Sequence, residues 1–506
     1  MSDSPDATGS ASDPSRSRHN TAVVWFRHDL RLHDNEALTE AATADNLVPV
    51  YVFDTREYGK AEYGGARSFR YEKTGIHRTR FRREAVADLR ESLRSRGSDL
   101  VVREGRPERA VAEVAARVDA DAVHLHTSPS PEESGVEGAA RGALRELDID
   151  ARRYWGHTLY HVNDLPDGYR NVPDTYSSFR KSVEGSASVR APLGTPTLPP
   201  LPDDAPDPGA IPPLAALSGA DQPDDDRGVL PFVGGESAAL DRVETYLWDE
   251  DRLREYKETR NGMIGQGYSS KLSAWLSEGC LSPRYVESEV DRYEDLRVSN
   301  DSTYWLLFEL IWRDFYQFQV AKYGKQFFAP GGLRERDDIS WRVPAEDDEA
   351  ARQFERWMSG ETGIPFVDAN MRELNQTGYM SNRGRQNVAS FFANNLRIDW
   401  RRGAAHFETQ LVDYDPASNY GNWAYIAGVG NDSRDRYFNI VKQARKYDGQ
   451  AEYVTQWLPE LDPLPPRYAH EPWTMSERDQ AEYGVELGID YPAPMVDLDQ
   501  TYQKLR

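Results

Sequence analysis

Between Gly378 and Gly430 the chain reads GYMSNRGRQNVASFFANNLRIDWRRGAAHFETQLVDYDPASNYGNWAYIAGVG, and side chains capable of chemistry crowd it. Asn382, Arg383, Arg385 and Gln386 bring an excess of hydrogen-bond donors to one helix start. Apolar residues at helical spacing follow: Val388, Phe391, Phe392 and Leu396. Asp413 and Asp415 come next, two apart, then Asn419, then Trp423 and Tyr425 in a glycine-rich segment. Carboxylates can take ribose hydroxyls or ring N–H groups, an amide can reach one ring atom, and flat rings stack or pass electrons. The set suits a large polar aromatic ligand better than plain packing.

Two other stretches carry the same kind of signal. Tyr256 to Ser273 reads YKETRNGMIGQGYSSKLS, punctuated by Gly262, Gly265 and Gly267. It predicts a loop followed by a helix over Ser270 to Gly279, with Ser269, Ser270 and Lys271 at its start. A helix start with hydroxyls and a cation is an anion site suited to a pyrophosphate; Ser-Ser before a helix is equally an ordinary N-cap. Ser302 to Tyr323 contains Phe308-Glu-Leu-Ile-Trp-Arg-Asp-Phe315, which puts Glu309, Trp312 and Arg313 on one helix face. That face is either a costly functional arrangement or an exposed Glu309–Arg313 pair beside a core tryptophan.

The elements that must position these residues fall into two blocks. Thr21 to Phe26, Leu47 to Phe53, Asp99 to Val102, Ala122 to His126 and Ile149 to Tyr154 read as strands. Helices over Arg78 to Leu93, Pro107 to Val118 and Val136 to Leu147 lie between them. The alternation predicts an α/β N-terminal domain, a doubly wound parallel sheet, over residues 21–155. After the first strand stands Arg27-His-Asp-Leu-Arg-Leu-His-Asp-Asn35 rather than G-x-G-x-x-G, so a dinucleotide is not held there by a glycine loop. Residues 156–235 read as a connector, with the Pro/Asp-rich run PTLPPLPDDAPDPGAIPP at its heart. Residues 236–467 read as all-α, with helices over Glu236 to Leu247, Pro283 to Tyr293, Asp348 to Gly360 and Phe366 to Thr377 besides those above. Residues 468–506 form a tail without a motif, and residues 1–20 a Ser-rich disordered arm.

Bulk properties narrow the setting. The net charge is −23, and ten of the 61 basic residues are lysines. Surplus acid with few lysines is how salt-loving organisms keep proteins soluble, and a GC-rich genome gives the same Arg bias. The charge opposes non-specific polyanion binding but leaves room for a local basic cleft. The single cysteine, Cys280, excludes an intrachain disulfide and a Cys-based metal or iron–sulfur site. His124 and His126 alternate in a strand and read as structural. No apolar run is long enough to span a membrane. The expectation is a cytoplasmic, metal-free, monomeric protein.

Phe366-Val-Asp-Ala-Asn-Met-Arg-Glu-Leu374, Met380-Ser-Asn-Arg-Gly-Arg-Gln386 and Ser418-Asn-Tyr-Gly-Asn-Trp423 resemble, almost letter for letter, motifs of the photolyase/cryptochrome family, and within it of the DASH branch. The likeness runs from about Thr21 to about Leu461. It implies an all-α FAD-binding domain in which Tyr256 lies on the cofactor and Ser269, Ser270, Lys271, Leu272 and Ser273 cradle its diphosphate. It implies that Arg385, Asp413 and Asp415 hold the flavin and ribose side, that Asn419 faces the flavin's central nitrogen, and that Arg313 pairs with Asp413. Leu272-Ser273-Ala274 and Gln266-Gly267 depart from the branch's usual Phe-Ser-Pro and Pro-Asp. Trp423, Trp400 and Trp341, each explicable singly as packing, match the family's electron-transfer chain. The branch commonly carries a methenyltetrahydrofolate antenna, and Glu84 stands where a glutamate contacts it; the alternative is an exposed helix glutamate beside Arg80 and Arg83.

The implied activity is blue-light splitting of cyclobutane pyrimidine dimers by an electron from reduced FAD. Glu309 would hydrogen-bond the dimer, Trp312 pack on it, and Asn382 and Gln386 line its pocket. Tyr425 stands where duplex-acting enzymes carry Trp. A smaller platform recovers less stacking energy, of order 1–3 kcal/mol per base, so single-stranded DNA is the expected substrate and RNA a further candidate ligand. Pocket histidines needed for (6-4) photoproducts are missing between His161 and His406. The competing reading is a flavin photoreceptor without repair activity.

Overall fold

The computed structural model describes residues 21–219, 225–432 and 437–505; the expected N-terminal arm lies outside them. Strand β1 (Thr21–Phe26) is buried at every position, and its side chains alternate between two cores. Val23 and Trp25 face one; Ala22, Val24 and Phe26 face the other. With β2 (Asn46–Asp54), β3 (Lys60–Tyr63), β4 (Phe69–Glu72), β5 (Val101–Gly105), β6 (Ala122–His126) and β7 (Asp150–Tyr154), the domain has a five-stranded sheet of order β5-β2-β1-β6-β7 and a separate β3-β4 hairpin. Every pair in the large sheet is parallel, as the alternating pattern predicts.

Helices α1 (Glu36–Ala41), α2 (Ile76–Arg94), α3 (Pro107–Arg117) and α4 (Pro131–Glu146) make the crossovers. The Val23–Trp25 face packs on α3 and α4. The opposite face packs on Phe81, Ala85, Val86 and Leu89 of α2, and this core runs without a break into the helical domain.

The connector protects the sheet rather than hanging from it. Val102 of edge strand β5 donates its N–H to Pro208 at 2.7 Å, and Leu47 donates to Pro200 at 3.1 Å. The connector also contains a helix, Tyr176–Ser186, that packs on the helical domain.

The helical domain is organised by α5 (Asp301–Tyr323), whose start is fixed by an Asn300/Thr303 capping box. Around it stand α6 (Pro365–Thr377), α7 (Asn382–Ser390), α8 (Trp400–Gln410) and α9 (Pro416–Ile426). The 378–430 stretch is thus divided among three α-helices. Arg397, in the left-handed region at φ 56°, breaks it before α8. The last residues pack back on this domain: the Tyr491 hydroxyl donates to Asp368 at 2.5 Å, and Tyr502 accepts from the Ile440 N–H at 2.9 Å. No helix of the described residues is long and apolar enough to cross a membrane.

The loop that replaces a glycine fingerprint joins the two domains. Arg284 donates to both oxygens of Asp34, at 2.9 and 2.7 Å, and Arg31 donates to the Gly279 carbonyl at 2.8 Å. His33 and Glu236 meet at 2.5 Å.

Candidate flavin site

The carboxylate pair and the helix-start donors converge. Arg385 of α7 donates through one nitrogen to Asp413 Oδ1 at 3.0 Å and Oδ2 at 2.8 Å. The Ser273 hydroxyl donates to Asp413 Oδ2 at 2.6 Å. Asp413 is buried, and burial opposes the Arg385 charge less strongly than Asp413 supports it, so the guanidinium pKa rises.

This corrects one expectation. Arg313 does not pair with Asp413: it donates to the carbonyls of His157 and, at 3.2 Å, Leu276. Nor does it pair with Glu309. One helical turn separates Glu309 from Arg313, but α5 aims them at different partners. Glu309 meets Arg260 in a tight ion pair, and Arg260 lies over the Trp305 ring at 4.3 Å. Burial raises the Glu309 pKa and Arg260 holds it down. Tyr176, Tyr256 and Tyr316 stand near enough to feel its charge.

The segment expected to cradle a diphosphate takes a different form from the expected helix start. The helix there is only Ser273–Ser277, because Lys271 sits at φ 55° and breaks the turn. Ser269, Ser270, Lys271 and Leu272 are thus loop residues. Lys271 is buried, lies 3.4 Å from the Tyr268 ring centroid and donates to the Gln266 carbonyl at 2.9 Å. Arg242 ties the same loop by donating to the carbonyls of Ser270, Gln266 and Ser269 at 2.9, 3.1 and 3.2 Å. Burial and the Arg242 charge lower Lys271 to about 7, and burial lowers Arg242 as well. A buried lysine that holds its proton weakly beside a buried guanidinium fits a polyanion, and a diphosphate would restore the lysine's charge.

The remaining expected residues are distributed as follows. Tyr256 is buried. Asp415 caps α9 through the Ser418 N–H at 2.6 Å and accepts from Gln317 at 2.6 Å. The Asn419 amide donates to the Ala404 carbonyl at 2.9 Å. Asn382 is exposed at the start of α7, and Gln386 accepts from Arg383 at 2.8 Å. Trp312 is half-buried with Tyr176 stacked on it at 3.6 Å and 6°, so one ring face is already taken. Tyr425 is half-buried.

The three tryptophans expected to form an electron-transfer chain, Trp423, Trp400 and Trp341, are all buried. Trp423 packs against Gly403, where a Cβ would fall 2.3 Å from its ring, and Gly403 lies one turn beyond Trp400 on α8. Trp341 adjoins the Arg342–Ile398 bridge, two residues short of Trp400.

Glu84 accepts the Gly234 N–H at 2.9 Å and lies 3.8 Å from Arg80, so it fastens the connector to α2. His126 and His124 bond Asp29 at 2.9 Å and Tyr154 at 3.0 Å. His28, Glu57 and Glu133 gather closely enough to suit a metal. Burial opposes the His28 charge, yet Glu133 and Glu278 raise it to about 10, and Arg27 and Arg82 pair the carboxylates. The cluster is a neutralised ion-pair network.

Sequence reasoning missed Arg242 and Arg260. The four-residue step from Tyr256 to Arg260 was the only available hint for the second; the first carries no local signal.

Residues 22–202 match the DNA photolyase family, and residues 305–506 match the FAD binding domain of DNA photolyase. The chain belongs to the DNA photolyase/cryptochrome family and binds FAD. Within that family it is 57% identical over 486 residues to the cryptochrome DASH of Natronomonas pharaonis, covering 96% of this chain and 100% of that one. To the cryptochrome DASH of Gloeobacter violaceus it is 52% identical over 484 residues, 95% of this chain and 94% of that one. The solved structure of a Synechocystis sp. cryptochrome superposes with a TM-score of 0.90 at 47% identity, over 97% and 99% of the two chains.

Proposed function

We propose that the protein is a light-driven photolyase that splits cyclobutane pyrimidine dimers in single-stranded DNA. FAD, bound and reduced, supplies the photoexcited electron. The Arg385–Asp413 pair orients it, and the Lys271/Arg242 loop neutralises its diphosphate. The observation that carries the proposal is Glu309. It is a carboxyl lifted by burial, held by Arg260 and set one turn from Trp312. Burial makes the Glu309 carboxyl easier to protonate than a free one, and in its protonated form it donates a hydrogen bond to a dimer carbonyl. Arg260 is then released to a backbone phosphate.

Photolyases take the target base out of the stack, and unpaired DNA lowers that cost. Tyr425 offers less stacking surface than a tryptophan, and Tyr176 already covers one face of Trp312, so little stacking energy offsets unpairing a duplex. Trp423, Trp400 and Trp341 would refill the flavin with electrons. Glu84, at the seam between α2 and the connector, would contact a methenyltetrahydrofolate antenna; Glu84→Ala should then release the folate and its near-ultraviolet band.

The test is blue-light repair of one defined thymine dimer, in single-stranded and duplex oligonucleotides, by reduced protein in high salt. Repair of the single strand alone is expected. Repair of both would overturn the Tyr425 argument. Repair of neither, with flavin bound and reducible, would favour a photoreceptor in which Arg260 keeps Glu309 closed.

A further inference from the structure

Tyr420 of α9 is a buried phenol set between an aromatic donor and a buried base. Its ring lies 6.2 Å from that of Trp400, edge-on at 70°. Its hydroxyl donates to Glu408 Oε2 at 3.1 Å. Tyr420 is 2% exposed and Glu408 3%. Trp400 and Glu408 stand eight residues apart on α8, two turns along one face.

Plain packing accounts poorly for this. A phenylalanine would fill the site without burying a hydroxyl, and a buried carboxylate is expensive unless fully paired. The nearest cation, Lys73, lies 3.8 Å from Glu408 and is shared with the exposed Glu132. Glu408, Lys73, Glu132, Arg78 and Tyr414 line an interdomain cavity of about 100 Å³. Tyr71 and Tyr414 also stand near Glu408, and Arg78 adds a positive field. The carboxylate therefore has a phenol on its inner side and, on its outer side, a cavity leading past Lys73 to exposed Glu132.

We infer that Tyr420 is a redox-active tyrosine that re-reduces oxidised Trp400 and hands its phenolic proton to Glu408. This rests on the tryptophan-wire reading above. The oxidant is the Trp400 radical cation, left when Trp400 passes an electron inward through Trp423. One electron moves from Tyr420 to Trp400, the Tyr420 O–H bond breaks, and an O–H bond forms on Glu408 Oε2. The products are neutral Trp400, a neutral tyrosyl radical and a protonated Glu408. A soluble thiolate returns the electron and becomes a thiyl radical, while Glu408 returns the proton. Moving the proton with the electron cancels both buried charges, the Trp400 cation and the Glu408 carboxylate, which holds the hole away from the flavin. Tyr63, 5.8 Å from Tyr420, extends the path towards the β3-β4 hairpin.

The experiment is flash-induced transient absorption and electron paramagnetic resonance on the FAD-loaded protein with oxidised flavin, for wild type, Y420F, E408Q and W400F. In wild type a tyrosyl signal should grow as the tryptophan signal decays, more slowly in D2O. Y420F should lose the tyrosyl signal and prolong the tryptophan signal. E408Q, nearly isosteric, should slow tyrosyl formation about 100-fold, since removing a positioned base typically costs that much. Should either variant misfold, as judged by its flavin spectrum, the wild-type D2O effect decides. A tryptophan signal that decays identically in wild type and Y420F, or shows no tyrosyl component and no isotope effect, overturns the relay. W400F separates the two readings. If it photoreduces flavin at the wild-type rate, the wire itself has failed; if it is slow while Y420F is normal, only the relay has.

Discussion

One nitrogen of Arg385 grips both oxygens of Asp413, at 3.0 and 2.8 Å, across the 28 residues that separate them. The pair replaces the Arg313–Asp413 contact expected from resemblance. It also frees Arg313 to tie α5 to the carbonyls of His157 and Leu276. On the proposed function, positive charge beside the flavin would come from α7, and α5 would contribute the acid that meets the lesion.

Removing one partner of a buried pair leaves the other charge uncompensated, at about 3–5 kcal/mol. Asp413→Asn should therefore lower stability towards the small end of that range, because the Arg385 side chain is 25% exposed. It should also lower the flavin-to-protein ratio of purified protein. Thermal unfolding and the flavin absorbance of the same sample check both. An Arg313→Ala variant that lost flavin while Asp413→Asn kept it would reverse the assignment.

Arg260 is the group that lowers the Glu309 pKa, so Arg260→Ala should raise it further. If the protonated acid donates to the dimer, the alkaline limb of repair should move to higher pH in Arg260→Ala. Glu309→Gln should flatten that limb and retain part of the activity, because an amide still donates. The check is the pH profile of single-turnover repair by reduced protein; an unmoved limb in Arg260→Ala would remove Glu309 from the acid role.

The sheet was legible because TAVVWF and its neighbours are continuous apolar runs of strand length, which a parallel sheet covered on both faces requires. Helix α5 was legible within one residue of its start. Pairings between distant segments were not. Glu309 and Arg313 stand at pairing distance on any helix wheel, yet each turns to a partner from another segment, Arg260 and the His157 carbonyl. The left-handed Lys271 was illegible for a related reason. Its neighbours Ser269 and Ser270 look like a helix cap, and the loop is held open by the tertiary anchor from Arg242 together with the Lys271–Gln266 bond. Arg397, which splits the 378–430 stretch, carries no glycine-like signal either.

Trp400 is fully buried and donates its indole N–H to the Pro330 carbonyl at 3.0 Å. Trp400→Phe keeps the ring's bulk but not its oxidation chemistry. Photoreduction of oxidised flavin should fall at least about tenfold, or roughly 1.4 kcal/mol of barrier. Repair by chemically reduced protein should be unchanged. Steady-state bleaching of the flavin band under blue light reads the first, and dimer repair after dithionite reduction the second. Loss of both would mean that Trp400 holds the site together rather than conducting.

Asp314 of α5 accepts the N–H groups of Leu159 and Tyr160 at 2.9 and 2.8 Å and so pins the start of the connector to the helical domain. Burial raises its pKa from 3.8 to about 7, against the opposing pull of those two N–H groups. A carboxyl whose folded pKa lies above its unfolded value stabilises most when protonated. Its contribution is complete below about pH 4, declines as pH rises towards 7, and is then constant. One pKa unit is about 1.4 kcal/mol, which bounds the loss at about 4 kcal/mol. Amide exchange at Leu159 and Tyr160 should therefore quicken between pH 4 and 7 beyond the ordinary base-catalysed rise. In Asp314→Asn that excess should vanish, because an amide does not titrate. An excess that persists in Asp314→Asn would place the titration elsewhere.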